Sequence, residues 1–273
     1  MRIDAHQHFW NVGRLHYPVL DPNVFGAWHR DVEPPELEPL LKERGIAGTV
    51  VVQAKNGLDE TEYLLELSDR HDWIRGVVGW VDLTDRTLAV RQLKRLEKHA
   101  KFKGVRHLFM SPQERDWLIR PETVAGLKAL AEAGKTFDVS AEFPHHLYHV
   151  PEVARQVPDL RIVIDHLAKP PADGEGLERW EADLERASLW PNVCAKVSGL
   201  DPHSPHLRAI VDTAFRLFGA ERLMFGSDWP VACLSGSYED VWQAVNDAVS
   251  GRTEREKEAL FGGTAERFYR LAP

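Results

Sequence analysis

The chain has 273 residues, 43% hydrophobic and 28% charged, the make-up of a soluble globular protein with a substantial core. A formal net charge of −8, with no run of Lys and Arg, argues against a nucleic-acid partner, and two cysteines are too few for a disulfide framework. There is no basic-plus-apolar leader and no apolar run long enough for a bilayer, so the expected location is the reducing cytoplasm, with no membrane partner.

Met1 to Trp10 reads as a short first strand that ends at His6 and His8. Two histidines one residue apart share a side only on extended backbone, so both rings are expected to aim at one point. A His-x-His match alone is better explained by two polar side chains hydrogen-bonded or solvated at a strand end. Phe9 to Asp31 has neither helical nor strand period and many breakers, and reads as an ordered loop over the first strand. Alternation then sets in. Pro34–Arg44 is a helix and Gly48–Ala54 a strand; Asp59–His71 is a helix and Ile74–Asp82 a strand. Thr87–His99 is a helix, Lys103–Phe109 a strand, and Pro121–Ala133 a helix with Pro at its start and Gly134 at its end. Thr136–Phe143, Arg161–His166, Asn192–Ser198 and Arg222–Asp228 are further strands. They are separated by helices at Leu147–Gln156, Gly176–Ala187 and Pro205–Phe218, and Tyr238–Val249 and Glu254–Leu271 are helical.

Eight strand and helix units predict an α/β fold, a single (β/α)8 TIM barrel formed by residues 1–273 as one domain, with catalytic groups at the C-terminal strand ends. An open doubly wound sheet lacks its Gly-rich turn after the first strand. The predicted strand ends carry His6 and His8, Gln53, Trp80 and Asp82, Arg106 and His107, Glu142 with His145 just beyond, His166, Lys196 and Ser198, and Asp228. Strands that merely filled a core would not gather so many ionisable groups at one end.

Asp4-Ala-His-Gln-His-Phe-Trp10, Gly104-Val-Arg-His107, Asp165-His-Leu-Ala-Lys-Pro170, Lys196-Val-Ser-Gly-Leu200 and Phe225-Gly-Ser-Asp-Trp-Pro-Val231 span the chain. Together they resemble the amidohydrolase superfamily, most closely its sugar-lactonase branch of L-fuconolactonases and L-rhamnonolactonases. The resemblance implies a metallo-dependent hydrolase-like barrel that opens a small-molecule sugar lactone to the aldonate, with scope for a homo-oligomer. It puts His6, His8 and Asp228 on one divalent ion, with Glu142 as an additional candidate ligand. Neutral imidazoles and a carboxylate suit Zn2+. Asp228 would take a proton from the attacking water, Arg106 would stabilise the oxyanion, and His145 or His166 would protonate the leaving alkoxide. Trp229, His107, Lys196 and Trp10 are expected to meet the substrate. The two-metal pattern needs a carboxylated Lys closing the fourth strand, whereas Lys103 begins it. At most one ion is therefore expected, and some relatives in this branch work without any.

Alternatives within the superfamily are a metal-dependent decarboxylase, whose acidic first-strand partner is missing here, and a dicarboxylate pyrone-lactone hydrolase, which would need more Arg than Arg106. A sugar-acid-binding barrel is the non-enzymatic alternative. It would have no use for His6, His8, His166 and Asp228 together.

Overall fold

The computed structural model describes residues 1–111 and 114–272. Among these, eight parallel strands form one sheet in chain order: β1 (Ile3–Gln7), β2 (Gly48–Val52), β3 (Ile74–Gly79), β4 (Phe102–His107), β5 (Thr136–Val139), β6 (Arg161–Ile164), β7 (Val193–Val197) and β8 (Leu223–Phe225). A one-turn helix α1 (Pro22–Phe25) and α2 (Pro34–Glu43) follow β1. Then α3 (Leu58–Arg70), α4 (Arg86–Leu96), α5 (Pro121–Glu132), α6 (Val150–Gln156), α7 (Leu177–Ser188) and α8 (Leu207–Phe218) each lead to the next strand. The segments α9 (Tyr238–Ala248), α10 (Glu254–Glu258) and α11 (Thr264–Tyr269) complete the ring. None of the described helices is long and apolar enough to cross a membrane.

Two of the ring helices begin where side chains satisfy their first amides, Asp85 for α4 and Ser237 with Asp240 for α9. The strands are apolar on both sides because both are covered. One layer (Ile3, Ala5, Val50, Val52, Val78, Val163 and Met224) packs in the barrel and is closed by Phe268 and Tyr269 of α11. The other, including Val51, Val77, Val105, Phe137, Ile162 and Phe225, packs against the helices.

Several strands stop earlier than the sequence predicts: β3 at Gly79 and not Asp82, β5 at Val139 and not Phe143, β6 at Ile164 and not His166, β8 at Phe225 and not Asp228. In each case the trimmed residues are those whose backbone turns out of the ladder at the barrel mouth. Closure between β8 and β1 is made by this departing backbone. Asp228 donates its amide to the His6 carbonyl (2.8 Å), and His8 donates to the Trp229 carbonyl (2.7 Å). Gly226 permits the approach, since a Cβ there would lie 2.5 Å from the His6 Cβ.

A register shift in β1 between Asp4 and Gln7 is the local event that builds the site. Ile3 and Ala5 belong to the barrel layer, while Asp4 and Gln7 point the other way, to Tyr238 and Thr49. The extra residue of the bulge turns His6 to the inner side as well, and His8 follows it by simple alternation.

Candidate active site

His6 and His8 do converge: their Nε2 atoms are 3.2 Å apart. Asp228 comes to the same point from beyond β8, its Oδ1 3.1 Å from His8 Nε2 and 3.6 Å from His6 Nε2. His8 Nδ1 lies 2.7 Å from the Val52 carbonyl, which can only accept, so His8 carries a proton on Nδ1. Its Nε2 faces a second imidazole nitrogen and a carboxylate oxygen, atoms that can share the proton of a neutral His6 or a divalent ion in its place. The separations match the edges, about 3.3 Å, of a tetrahedral site with Zn–N and Zn–O bonds near 2.0–2.1 Å. The donor set therefore fits one divalent ion held by His6, His8 and Asp228. The Val52 carbonyl serves as the outer partner that such ligands need.

Arg106 reaches the cluster from β4. Its guanidinium lies 3.3 Å from His6 Nε2 and 3.3 Å from Asp165 Oδ2, and it is steadied by the Gln53 side chain and carbonyl. His166 stands just past β6, with Nδ1 2.9 Å from Ser198 Oγ and Nε2 3.9 Å from Asp228 Oδ1. Burial lowers the affinity of both His6 and His166 for protons, keeping the rings neutral at pH 7. Burial also pushes the Asp228 carboxyl up, but the rings of His166, His8 and His6 outweigh it and hold the group below the ordinary carboxylate range.

Other expected site residues fall elsewhere. Lys196 does not line the mouth. It is fully buried beneath His6, with Nζ 2.6 Å from Asp138, 3.0 Å from Asp165 and 3.0 Å from His6 Nδ1, because alternation along β7 turns it into the barrel. Trp10 is also fully buried. Its indole donates to the Arg30 carbonyl at 2.8 Å, so it anchors the loop over β1 and does not meet the pocket. Glu142 is half exposed and pairs with Lys169 at 3.5 Å, apart from the imidazole cluster. His145 is exposed, 3.3 Å from an Arg115 nitrogen. His107 faces a separate group at the rim: it accepts from the Trp80 indole (3.3 Å), donates to Glu114 (3.2 Å) and stacks on Trp117. Trp229, directly after Asp228, packs edge-on between Phe9 and Trp28.

The sequence reading passed over several buried acids. Asp165 precedes His166 and touches His6 Nδ1 (3.3 Å), Arg106 and Lys196. Burial works to raise it, yet those three groups hold it well below the ordinary value. Asp138 bonds Lys196 and the Tyr269 hydroxyl (2.6 Å), and Asp4 accepts from the Ser227 amide and the Tyr238 hydroxyl. Asp138 and Asp4 are each a lone acid inside an apolar strand, a pattern expensive enough to demand a partner. That signal was available in Phe137-Asp138-Val139 and Ile3-Asp4-Ala5.

Glu60, at the start of α3, accepts from the amides of Ala54 and Lys55, and burial pushes its carboxyl up to about 8. It therefore takes up a proton on folding in the window between its ordinary value and about 8. Lowering pH through the top of that window stabilises the fold. Over the lower half of the same window the unfolded chain protonates His6, His107, His146 and His166, whose buried rings have lowered affinity, and this offsets most of the gain in the wild-type protein. From pH 8.5 to 6.5 Glu60 itself should contribute about 2 kcal/mol, read by thermal unfolding as the growing difference in stability between wild type and Glu60→Gln as pH falls; a difference that does not change with pH would contradict it.

The amidohydrolase family model matches residues 3–271. An L-fucono-1,5-lactonase of Burkholderia ambifaria is 38% identical, covering 99% of this chain and 96% of that protein. A second L-fucono-1,5-lactonase, from Burkholderia multivorans, is 33% identical over 99% and 96%. The crystal structure of a Burkholderia multivorans amidohydrolase with bound zinc superposes with a TM-score of 0.90 at 34% identity, over the whole of both chains. With the barrel, the His6–His8 pair and the Asp228 carboxylate in place, the conclusion is that the chain belongs to the amidohydrolase family.

Proposed function

We propose that the protein is a lactonase that opens a sugar-acid lactone to the aldonate. The observation that carries this reading is the convergence of His6, His8, His166, Arg106 and Asp228 on one point, in a chain 38% identical over nearly its whole length to an L-fucono-1,5-lactonase. Asp228 accepts a proton from the attacking water as the oxygen adds to the ring carbonyl carbon. Arg106 supplies the fixed cation nearest the developing oxyanion. The ring C–O bond then breaks, and His166, whose Nε2 faces Asp228, relays the proton to the leaving alkoxide, yielding the open hydroxy acid. His166 suits this role better than the exposed His145. Trp229 and its neighbour Trp28 offer apolar surface to the sugar ring.

His6, His8 and Asp228 would hold one divalent ion, Zn2+ by donor chemistry. When bound, such an ion brings the pKa of its water toward about 7 and polarises a carbonyl. Two measurements test the reading. Proton release in a pH-indicator assay across aldono-1,5- and aldono-1,4-lactones should show turnover above the spontaneous rate, and none across the panel would refute lactonase activity. Thermal unfolding with Zn2+ at about 100 times its Kd should gain about 2.7 kcal/mol in wild-type protein. The same addition to His8→Ala should give no shift.

A further inference from the structure

Among the described residues, six that are not glycine hold a left-handed backbone: His166, Leu167, Ala168, Lys169, Asp228 and Arg270. Five of these six lie in the two segments that carry His166 and Asp228, and the sixth ends α11. Elsewhere the chain uses glycine for such turns, as at Gly45, Gly134 and Gly219. At His166–Lys169 it strings four side-chain-bearing residues through the region at φ of 54°, 49°, 61° and 55°. Cβ sterics oppose this conformation at every one of them.

The turn is held from outside. The Trp180 indole of α7, itself buried, donates to the Leu167 carbonyl at 2.8 Å. The Phe143 amide donates to the Ala168 carbonyl at 2.9 Å, and Ser198 meets the His166 ring. Gly199 leaves the ring its space, since a Cβ there would lie 2.4 Å from His166 Nδ1. A right-handed turn of the same length would send the side chain of residue 166 in another direction.

We propose that this strained left-handed turn aims His166 at Asp228 and that Trp180 is its positioning residue, acting through the Leu167 carbonyl. The assignment of His166 to the reaction rests on the lactonase reading; the strain and the pin do not. Lys169 is exposed, so its substitution probes the backbone without opening the core. At an unstrained site Gly is less stable than Ala, whereas at a left-handed site the order inverts. Lys169→Gly should therefore melt about 2 °C or more above Lys169→Ala. It should also lower kcat, because a relaxed turn no longer fixes the ring. Trp180→Phe keeps an aromatic ring at this buried position and removes the donor. It should lower kcat about tenfold or more with KM within twofold. It should also broaden or double the His166 signal in NMR spectra of protein labelled with 15N-histidine. Lys169→Gly melting below Lys169→Ala would overturn the strain. Unchanged kcat and an unchanged His166 signal in Trp180→Phe would overturn the positioning role. If wild-type protein opens no lactone, the functional reading fails, and the Gly–Ala order and the NMR signal still decide on the turn.

Discussion

Replacing Asp228 by asparagine should lower kcat/KM for lactone opening by about 10^3-fold and leave the fold in place. The seam that carries the residue is made by backbone, the Asp228 amide on the His6 carbonyl and the His8 amide on the Trp229 carbonyl, and neither bond involves the side chain. Asparagine also tolerates the left-handed backbone of Asp228, at φ 57°, better than other substitutes. What it lacks is the charge. The carboxylate stays ionised at the meeting point of three imidazoles, and on the proposed lactonase reading it takes a proton from water and completes the ligand set with His6 and His8. An amide does neither. Steady-state kinetics with a melting curve on the same sample separates the two effects: activity falls steeply while Tm moves by only a few degrees. Full activity in Asp228→Asn would remove the proton acceptor from the mechanism.

The largest loss of stability is expected at Lys196. Its Nζ lies between Asp138 (2.6 Å) and Asp165 (3.0 Å), with all three side chains out of contact with solvent. In Lys196→Met the two carboxylates keep the Tyr269 hydroxyl and Arg106, but lose the charge that compensates them. Removing one member of a buried pair typically costs about 3–5 kcal/mol, which for this chain means a fall in Tm of about 10 °C. Tyr269→Phe deletes one hydrogen bond to Asp138 and should cost about 1 kcal/mol. Denaturant unfolding measures both. A Lys196→Met protein of wild-type stability with a raised KM would instead restore the substrate contact expected from the sequence.

The contrast at Lys196 marks what was legible in the sequence. The barrel was legible because β-branched runs such as Gly48–Val52 alternate with helical periods eight times over. An extended His-x-His and an abrupt strand exit each implied a direction for His6, His8 and Asp228, and the resemblance to amidohydrolases joined them as one set. Direction within a strand was harder. Whether Lys196 points to the mouth or into the barrel depends on where β7 leaves the sheet, and the polar strand ends were read as longer than they are. The bulge in β1 has no sequence mark of its own, yet it puts His6 on the inner side. Glu142 and His145 looked like site residues because they follow β5. The backbone after Val139 instead carries them outward, where they pair with Lys169 and Arg115. Asp165 was hidden by its neighbour: next to His166 it read as part of a motif, and only the three-dimensional arrangement shows it touching His6, Arg106 and Lys196.

The central claim is that this cluster opens a sugar-acid lactone, and the most direct measurement follows L-fucono-1,5-lactone by 1H NMR in the presence of the purified protein. The account predicts conversion to the open acid that saturates with substrate, with kcat in the ordinary enzymatic range of about 1–10^3 s−1. Conversion no faster than in protein-free buffer, for this lactone and for its stereoisomers, would contradict it.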